Sequence, residues 1–259
     1  MQKLHHQTLG VGKPIVLIHG WAMHSGIWQD FAEQLAGHHQ VTLVDLPGHG
    51  HSGPLTPFTL ENITDRLAQT LPDGHCCWLG WSLGAAVVLE MARRFPERVD
   101  RLVLVAGNPC FLQQNGWPGM KPDVLDKFAA NLQQDTQATL TRFLAIQVMA
   151  LANAKALAKS LKTAVLSRPM PDNTALQGGL DILKTADLRP ALAAATVPVL
   201  VVLGKKDSLV PAALSHALPH CQPAAQVCLL EQAAHTPFLS HPEEMLALLK
   251  DFMENQIDR

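Results

Sequence analysis

Gly80-Trp81-Ser82-Leu83-Gly84 constrains this chain more than any other stretch. An apolar run at 75–79 precedes it and reads as a buried strand. Residues 85–95 follow and read as a helix. A strand that enters a helix through Gly-x-Ser-x-Gly turns so tightly that side chains on both flanks would collide. Gly80 and Gly84 remove those side chains, and Ser82 is left projecting from the top of the sheet, as in a nucleophile elbow. The helix beginning near Leu83 aims unpaired N–H groups at the place where an oxyanion would form. The pentapeptide alone also occurs in surface loops. The strand before it and the helix after it carry the functional reading.

The flanking chain supports a sheet that could hold such a turn. Apolar strands are expected at 15–18, 41–44 and 99–105, with helices at 27–35 and 59–71 between them. Asp45-Leu46-Pro47-Gly48-His49-Gly50-His51-Ser52 is a loop by its Pro and Gly content. Strands alternating with helices predict a parallel sheet covered on both faces, an α/β fold. The alternation stops at Phe111. From there to about Asp187 the sequence shows helical periodicity without a strand, with helices expected at 123–132, 136–149, 153–166 and 176–183. Strands return at 197–203 and 225–230, and an amphipathic helix closes the chain at 241–255. The expected organisation is a core in two parts, 1–110 and 188–259, with a helical cap inserted at 111–187. The cap would lie over the C-terminal ends of the strands, where open parallel sheets bind ligands.

Bulk properties exclude several alternatives. A chain of 259 residues can bury one large core. Its 20 basic and 22 acidic residues leave a formal charge of −2, so no nucleic-acid footprint is expected. No apolar run is long enough to span a bilayer, and residues 1–14 lack a signal-peptide core. Cys76, Cys77, Cys110, Cys221 and Cys228 show no metal-ligand spacing, so no metal site is expected. They read as free, mostly buried thiols of a cytoplasmic protein.

A serine hydroxyl is a weak nucleophile until a base takes its proton and a carboxylate orients the base. Of 13 histidines, His5, His6, His38, His39 and His51 lie in polar contexts. His216 and His220 lie on or after a short helix. His235 stands apart, in the small-residue loop Ala233-Ala234-His235-Thr236-Pro237-Phe238 that follows the last strand. Asp207 follows the strand 199–203 through Gly204-Lys205-Lys206. Asp181, Asp187 and Glu231 compete with it. Ser82, Asp207 and His235 occur in the order expected of this type of site. The oxyanion donors are expected to be the N–H groups of Leu83 and of Trp21, which follows His19-Gly20. Gly20 would permit close backbone approach, and His19 would brace the loop. Trp21 and Trp81 flank the serine and are expected to wall an acyl pocket or to pack in the core.

Between Thr136 and Pro171 lie Arg142, Lys155, Lys159, Lys162 and Arg168, without one Asp or Glu. Lys155, Lys159 and Lys162 share one helix face by their spacing. A solvated face would explain them. The lack of acidic neighbours in a net-negative chain points instead to docking of something acidic.

The core resembles the α/β-hydrolase superfamily through His19-Gly20-Trp21, the 45–52 loop, the elbow, Asp207 and His235. Four strings narrow the resemblance: Asn108-Pro109-Cys110-Phe111; Trp117-Pro118-Gly119-Met120-Lys121-Pro122-Asp123-Val124-Leu125; Arg142-Phe143-Leu144-Ala145-Ile146-Gln147; and Gly178-Gly179-Leu180-Asp181-Ile182-Leu183-Lys184-Thr185. They are similar to the biotin-pathway carboxylesterases that act on pimeloyl-[acyl-carrier protein] methyl ester. The resemblance implies a substrate borne on acidic acyl-carrier protein, with Arg142, Lys155 and Lys159 at carrier-contacting positions. Ala138 falls where relatives can carry another basic residue. The resemblance also implies an acyl tunnel lined by Phe143, Leu144, Ala145, Ile146 and Gln147, with Trp21, Ser82, Leu83 and His235 completing the substrate site. Ala22 stands where a glycine is common, and a small local adjustment is expected there. The expected enzyme is a cytoplasmic monomer that uses neither metal nor organic cofactor. Carbon–carbon hydrolases and a menaquinone-pathway lyase share the core motifs and are separated only by the cap strings. An intact triad argues against a non-catalytic ligand-binding module.

Overall fold

A computed structural model describes residues 3–254. Seven strands form one sheet: β1 (His6–Leu9), β2 (Lys13–Ile18), β3 (His39–Val44), β4 (Cys76–Trp81), β5 (Val99–Val105), β6 (Val199–Gly204) and β7 (Gln226–Leu230). Their spatial order is β1-β3-β2-β4-β5-β6-β7. Only β1 runs antiparallel to its neighbour. The central parallel strands are apolar on both faces and need cover on each. In β2, Ile15 and Leu17 enter the core on one side of the sheet, and Val16 and Ile18 enter the core on the other. In β6, Leu200 and Val202 oppose Val199, Val201 and Leu203 in the same way.

Eleven α-helices accompany the sheet among the described residues. They are α1 (Gln29–Leu35), α2 (Leu60–Thr70), α3 (Leu83–Arg94), α4 (Pro122–Gln134), α5 (Thr136–Ile146), α6 (Ala154–Leu166), α7 (Asn173–Thr185), α8 (Arg189–Ala193), α9 (Leu214–Cys221), α10 (Pro237–Ser240) and α11 (Pro242–Glu254). Thr59 caps α2, its hydroxyl accepting from Asn62 N–H at 3.3 Å. The helix expected at 27–35 starts as a 3₁₀ segment, Ser25–Trp28, that runs into α1. The helix expected at 176–183 begins earlier, because Asp172 caps it by accepting from Ala175 N–H at 2.8 Å. Asn255, the last residue of the expected closing helix, lies outside the described residues.

Residues 111–187 contain α4 to α7 and no strand of the sheet. The two ends of this segment meet where Cys110 bridges Asp187 and Leu188 N–H donates to Pro109 C=O at 2.7 Å. Helices of this segment, called the cap below, pack against the loop that leaves the C-terminal end of β2. Trp21, in the loop after β2, donates from Nε1 to Leu176 C=O at 2.8 Å, and its ring meets Phe128 and Phe143 edge-on.

Candidate active site

Ser82 links β4 to α3 with φ 55° and ψ −116°, a backbone that L-residues rarely adopt. The surrounding close approaches force it there. A side-chain carbon on Gly80 would overlap the Gly84 carbonyl, and one on Gly84 would press on the carbonyls of Ile18 and His19. Ser82 N–H donates to Val105 C=O at 3.0 Å, which ties the turn to the neighbouring strand. Leu83 opens α3, so its N–H is among those that a helix leaves without an internal acceptor.

Asp207 arrives from the turn that ends β6, where its N–H donates to Gly204 C=O at 3.2 Å. Its Oδ1 accepts from the N–H groups of Leu209 and Val210, at 2.7 and 3.1 Å. Its Oδ2 lies 2.7 Å from His235 Nδ1. A carboxylate only accepts, so Nδ1 carries the proton and Nε2 presents a lone pair. That lone pair faces Ser82 Oγ, 2.9 Å away. The side chains of His235 and Asp207 are each 1% exposed. The backbone of His235 is also held on both sides. Its N–H donates to Gln147 C=O at 3.2 Å, and its carbonyl accepts from Trp81 Nε1 at 2.8 Å. The competing carboxylates are engaged elsewhere. Asp187 pairs with Arg189 at 2.6 Å and Glu231 with Lys205 at 2.5 Å, while Asp181 accepts from Gln177 at 3.2 Å.

An apolar chamber opens above Ser82. Trp21 lines it from the core, with Phe128, Phe143, Ile146, Leu180 and Leu183 from the cap. Of the five consecutive residues expected there, Phe143 and Ile146 face the chamber. Leu144 packs into the core on the opposite side, Ala145 is exposed, and Gln147 is buried with its side-chain amide unpartnered. The physical reason for this correction is the helix itself. Phe143 to Ile146 complete a full turn of α5 and Gln147 caps its end, so the five cannot share a face. Trp81 is likewise not a chamber wall. It is buried against Trp28 and Phe238. Phe111, Met120, Val124, Leu125 and Leu209 complete the lining, and the sequence assigns neither these nor Phe128, Leu180 and Leu183 to it. Their apolar spacing is that of any core-facing stripe. The one available signal is that Val124, Leu125 and Phe128 recur at i, i+1 and i+4 on α4.

His19 is fully buried and braces the loop as expected. Its Nδ1–H donates to Gly20 C=O at 2.8 Å and its Nε2 accepts from Leu46 N–H at 3.0 Å. Burial, with His49 beside it, holds its imidazole well below the ordinary histidine range. Ala22 has φ 58°, the left-handed conformation that glycine adopts without steric cost. The Cys76 thiol is pushed up to about 12 by burial, so it is not a competing nucleophile. Among the described residues no cluster of His, Cys, Asp or Glu is arranged to hold a metal, and no helix is long and apolar enough to cross a membrane.

The alpha/beta hydrolase fold model matches residues 13–242. The chain belongs to the alpha/beta hydrolase family. This hydrolase is 44% identical over 243 residues to the pimeloyl-[acyl-carrier protein] methyl ester esterase of Salmonella newport, covering 93% of this chain and 94% of that protein. The protein of the same name from Klebsiella pneumoniae is 44% identical over 253 residues, with 96% and 98% covered. Solved structures share the fold. An esterase from Exiguobacterium antarcticum superposes with TM-score 0.88 at 23% identity over 97% of this hydrolase and 96% of that chain. A bromoperoxidase from Bacillus anthracis superposes with TM-score 0.88 at 20% identity over 97% and 95%.

Proposed function

We propose that this hydrolase is a serine carboxylesterase that cleaves the methyl ester of pimeloyl-[acyl-carrier protein], giving pimeloyl-[acyl-carrier protein] and methanol in biotin synthesis. The observation that carries the reading is 44% identity across 93% of the chain to proteins of that name. Ser82 attacks the ester carbonyl while His235 Nε2 takes its proton. Asp207 holds the imidazole in the required tautomer and stabilises its protonated form. The oxyanion is received by the N–H groups of Trp21 and Leu83. Collapse of the tetrahedral intermediate expels methanol, protonated by His235. Water, deprotonated by the same imidazole, then frees the acyl group from Ser82. No step calls for a metal or organic cofactor.

The chamber suits the methylene chain of a pimeloyl group, because nearly all its lining is apolar. A groove between α4 and α5 shares Val124, Phe128 and Ile146 with the chamber and is flanked by Arg142 and Lys127. It provides a route by which a tethered acyl chain reaches Ser82. Lys155 and Lys159 are exposed on α6. With Arg142 they form the docking surface for the acidic carrier in this reading, which pictures a monomer working in the cytoplasm.

The test is incubation of the purified protein with pimeloyl-carrier methyl ester and mass analysis of the carrier. The expected product has lost one methylene equivalent and retains its thioester. An unchanged carrier, or one stripped of its acyl group, would overturn the reading.

A further inference from the structure

The segment from Trp21 to Ser25 carries one of the two oxyanion donors, and the core alone does not fasten it. The core holds it by the buried side chains of Ala22 and Met23 and by hydrogen bonds at its two ends: His19 binds Gly20 and Leu46, Met23 N–H closes a turn on Gly20 C=O at 3.3 Å, and Ser25 N–H donates to Asp45. Within that turn Ala22 holds φ 58°. A left-handed alanine is unfavourable by itself and persists only where its surroundings enforce it.

The side chains of Trp21, His24 and Ser25 are held from the cap as well. Trp21 Nε1 donates to Leu176 C=O of α7. His24 Nε2 donates to Ala164 C=O at 2.9 Å, near the end of α6, while His24 Nδ1 accepts from Gly26 N–H at 3.1 Å. Arg168, just beyond α6, places Nη1 2.8 Å from Ser25 Oγ and 2.9 Å from each oxygen of Asp45. Asp45 is fully buried at the end of β3, and its Oδ1 also accepts from Ser25 N–H at 2.7 Å. The segment is therefore pinned at both ends by groups that belong to, or are bridged by, the cap.

We propose that His24 and Arg168 are positioning residues that couple the seated cap to the oxyanion hole. Neither touches the reacting atoms. With the cap seated, His24 and Arg168 hold the 21–25 segment so that Trp21 N–H points to the developing oxyanion. With the contacts cut, the alanine turn relaxes and the donor drifts. The inference rests on the esterase reading given above, since it assigns Trp21 N–H its role.

The test uses the full chain, a small soluble ester (p-nitrophenyl butyrate) and an alkyl trifluoromethyl ketone, whose adduct with Ser82 carries an oxyanion. His24→Ala and Arg168→Leu should lower kcat roughly 10- to 100-fold, the scale of a donor displaced by about 1 Å. KM should stay within about twofold, and affinity for the ketone should fall with kcat. Arg168→Lys keeps a cation beside Asp45 and should recover most of kcat. Thermal melts identify variants that fold. If Arg168→Leu does not fold, His24→Ala and the lysine variant decide. Folded variants with unchanged kcat and ketone affinity would overturn the proposal. So would a rise in KM alone, which would mean that the contacts merely shape the chamber. A wild-type protein that neither hydrolyses the ester nor binds the ketone would instead overturn the esterase reading, and the coupling with it.

Discussion

Ser82 Oγ lies 2.9 Å from His235 Nε2 across 153 residues of chain. The contact depends on the sheet order, which places β4, β5, β6 and β7 side by side so that three turns open on one edge. Ser82→Ala should therefore abolish ester turnover, by on the order of 10⁶-fold in kcat, while thermal stability stays near wild type. Steady-state assays on purified variant and wild type check this. Near-normal turnover would place the nucleophile elsewhere.

Asp207→Asn should cost roughly 10⁴-fold, because an amide can no longer hold His235 in the tautomer that faces Ser82. Asp187→Asn and Glu231→Gln should leave kcat close to wild type, since these carboxylates pair with Arg189 and Lys205 away from the triad. A damaging Asp187 or Glu231 variant beside an active Asp207→Asn would reassign the acid.

Docking and chemistry separate by substrate. Among the described residues Arg142, Lys155 and Lys159 make no ion pair. Replacing all three with Glu should lower kcat/KM for the carrier-bound ester and leave p-nitrophenyl butyrate nearly untouched. Exposed charges are screened over about 10 Å at 0.1 M salt, so the wild-type advantage should shrink as salt rises. Equal loss on both substrates would point to cap folding, and no loss on either would remove the docking surface.

Stability should fall with acid through buried histidines. His49 donates from Nδ1 to Pro47 C=O at 2.8 Å, and its Nε2 is buried without a partner. Burial lowers its pKa from 6.5 to about 4. The unfolded chain therefore binds this proton at a higher pH than the folded one. The contribution of neutral His49 is intact above pH 6.5 and is lost progressively as pH falls toward 4, by roughly 3 kcal/mol at most. His19 shifts in the same direction and adds to the slope. Urea unfolding at a series of pH values should show the decline, and His49→Phe should flatten it. An unchanged slope in that variant would mean that His49 does not titrate on unfolding.

What the chain determines by itself is local. The elbow is legible because its glycines answer a steric requirement set within five residues. The strands β2, β5 and β6 are legible because burial on both faces demands continuous apolar runs. The cap helices are legible from their period, and Asp207 and His235 from their places after strands. β1 is not legible, because its four residues are mostly exposed and its order comes from pairing with β3, more than 30 residues on. The chamber was equally hidden. Val124 and Phe128 read as any helical core stripe until the cap is laid over Ser82, and α5 divides Phe143 and Ile146 from Leu144 by rotation about its axis. Arg168 read as one more cation on a basic stretch. Only tertiary packing brings it to a buried carboxylate 123 residues away. Hydrogen bonds and ion pairs between distant segments leave no periodic trace in a sequence, whereas backbone sterics and amphipathic repeats do.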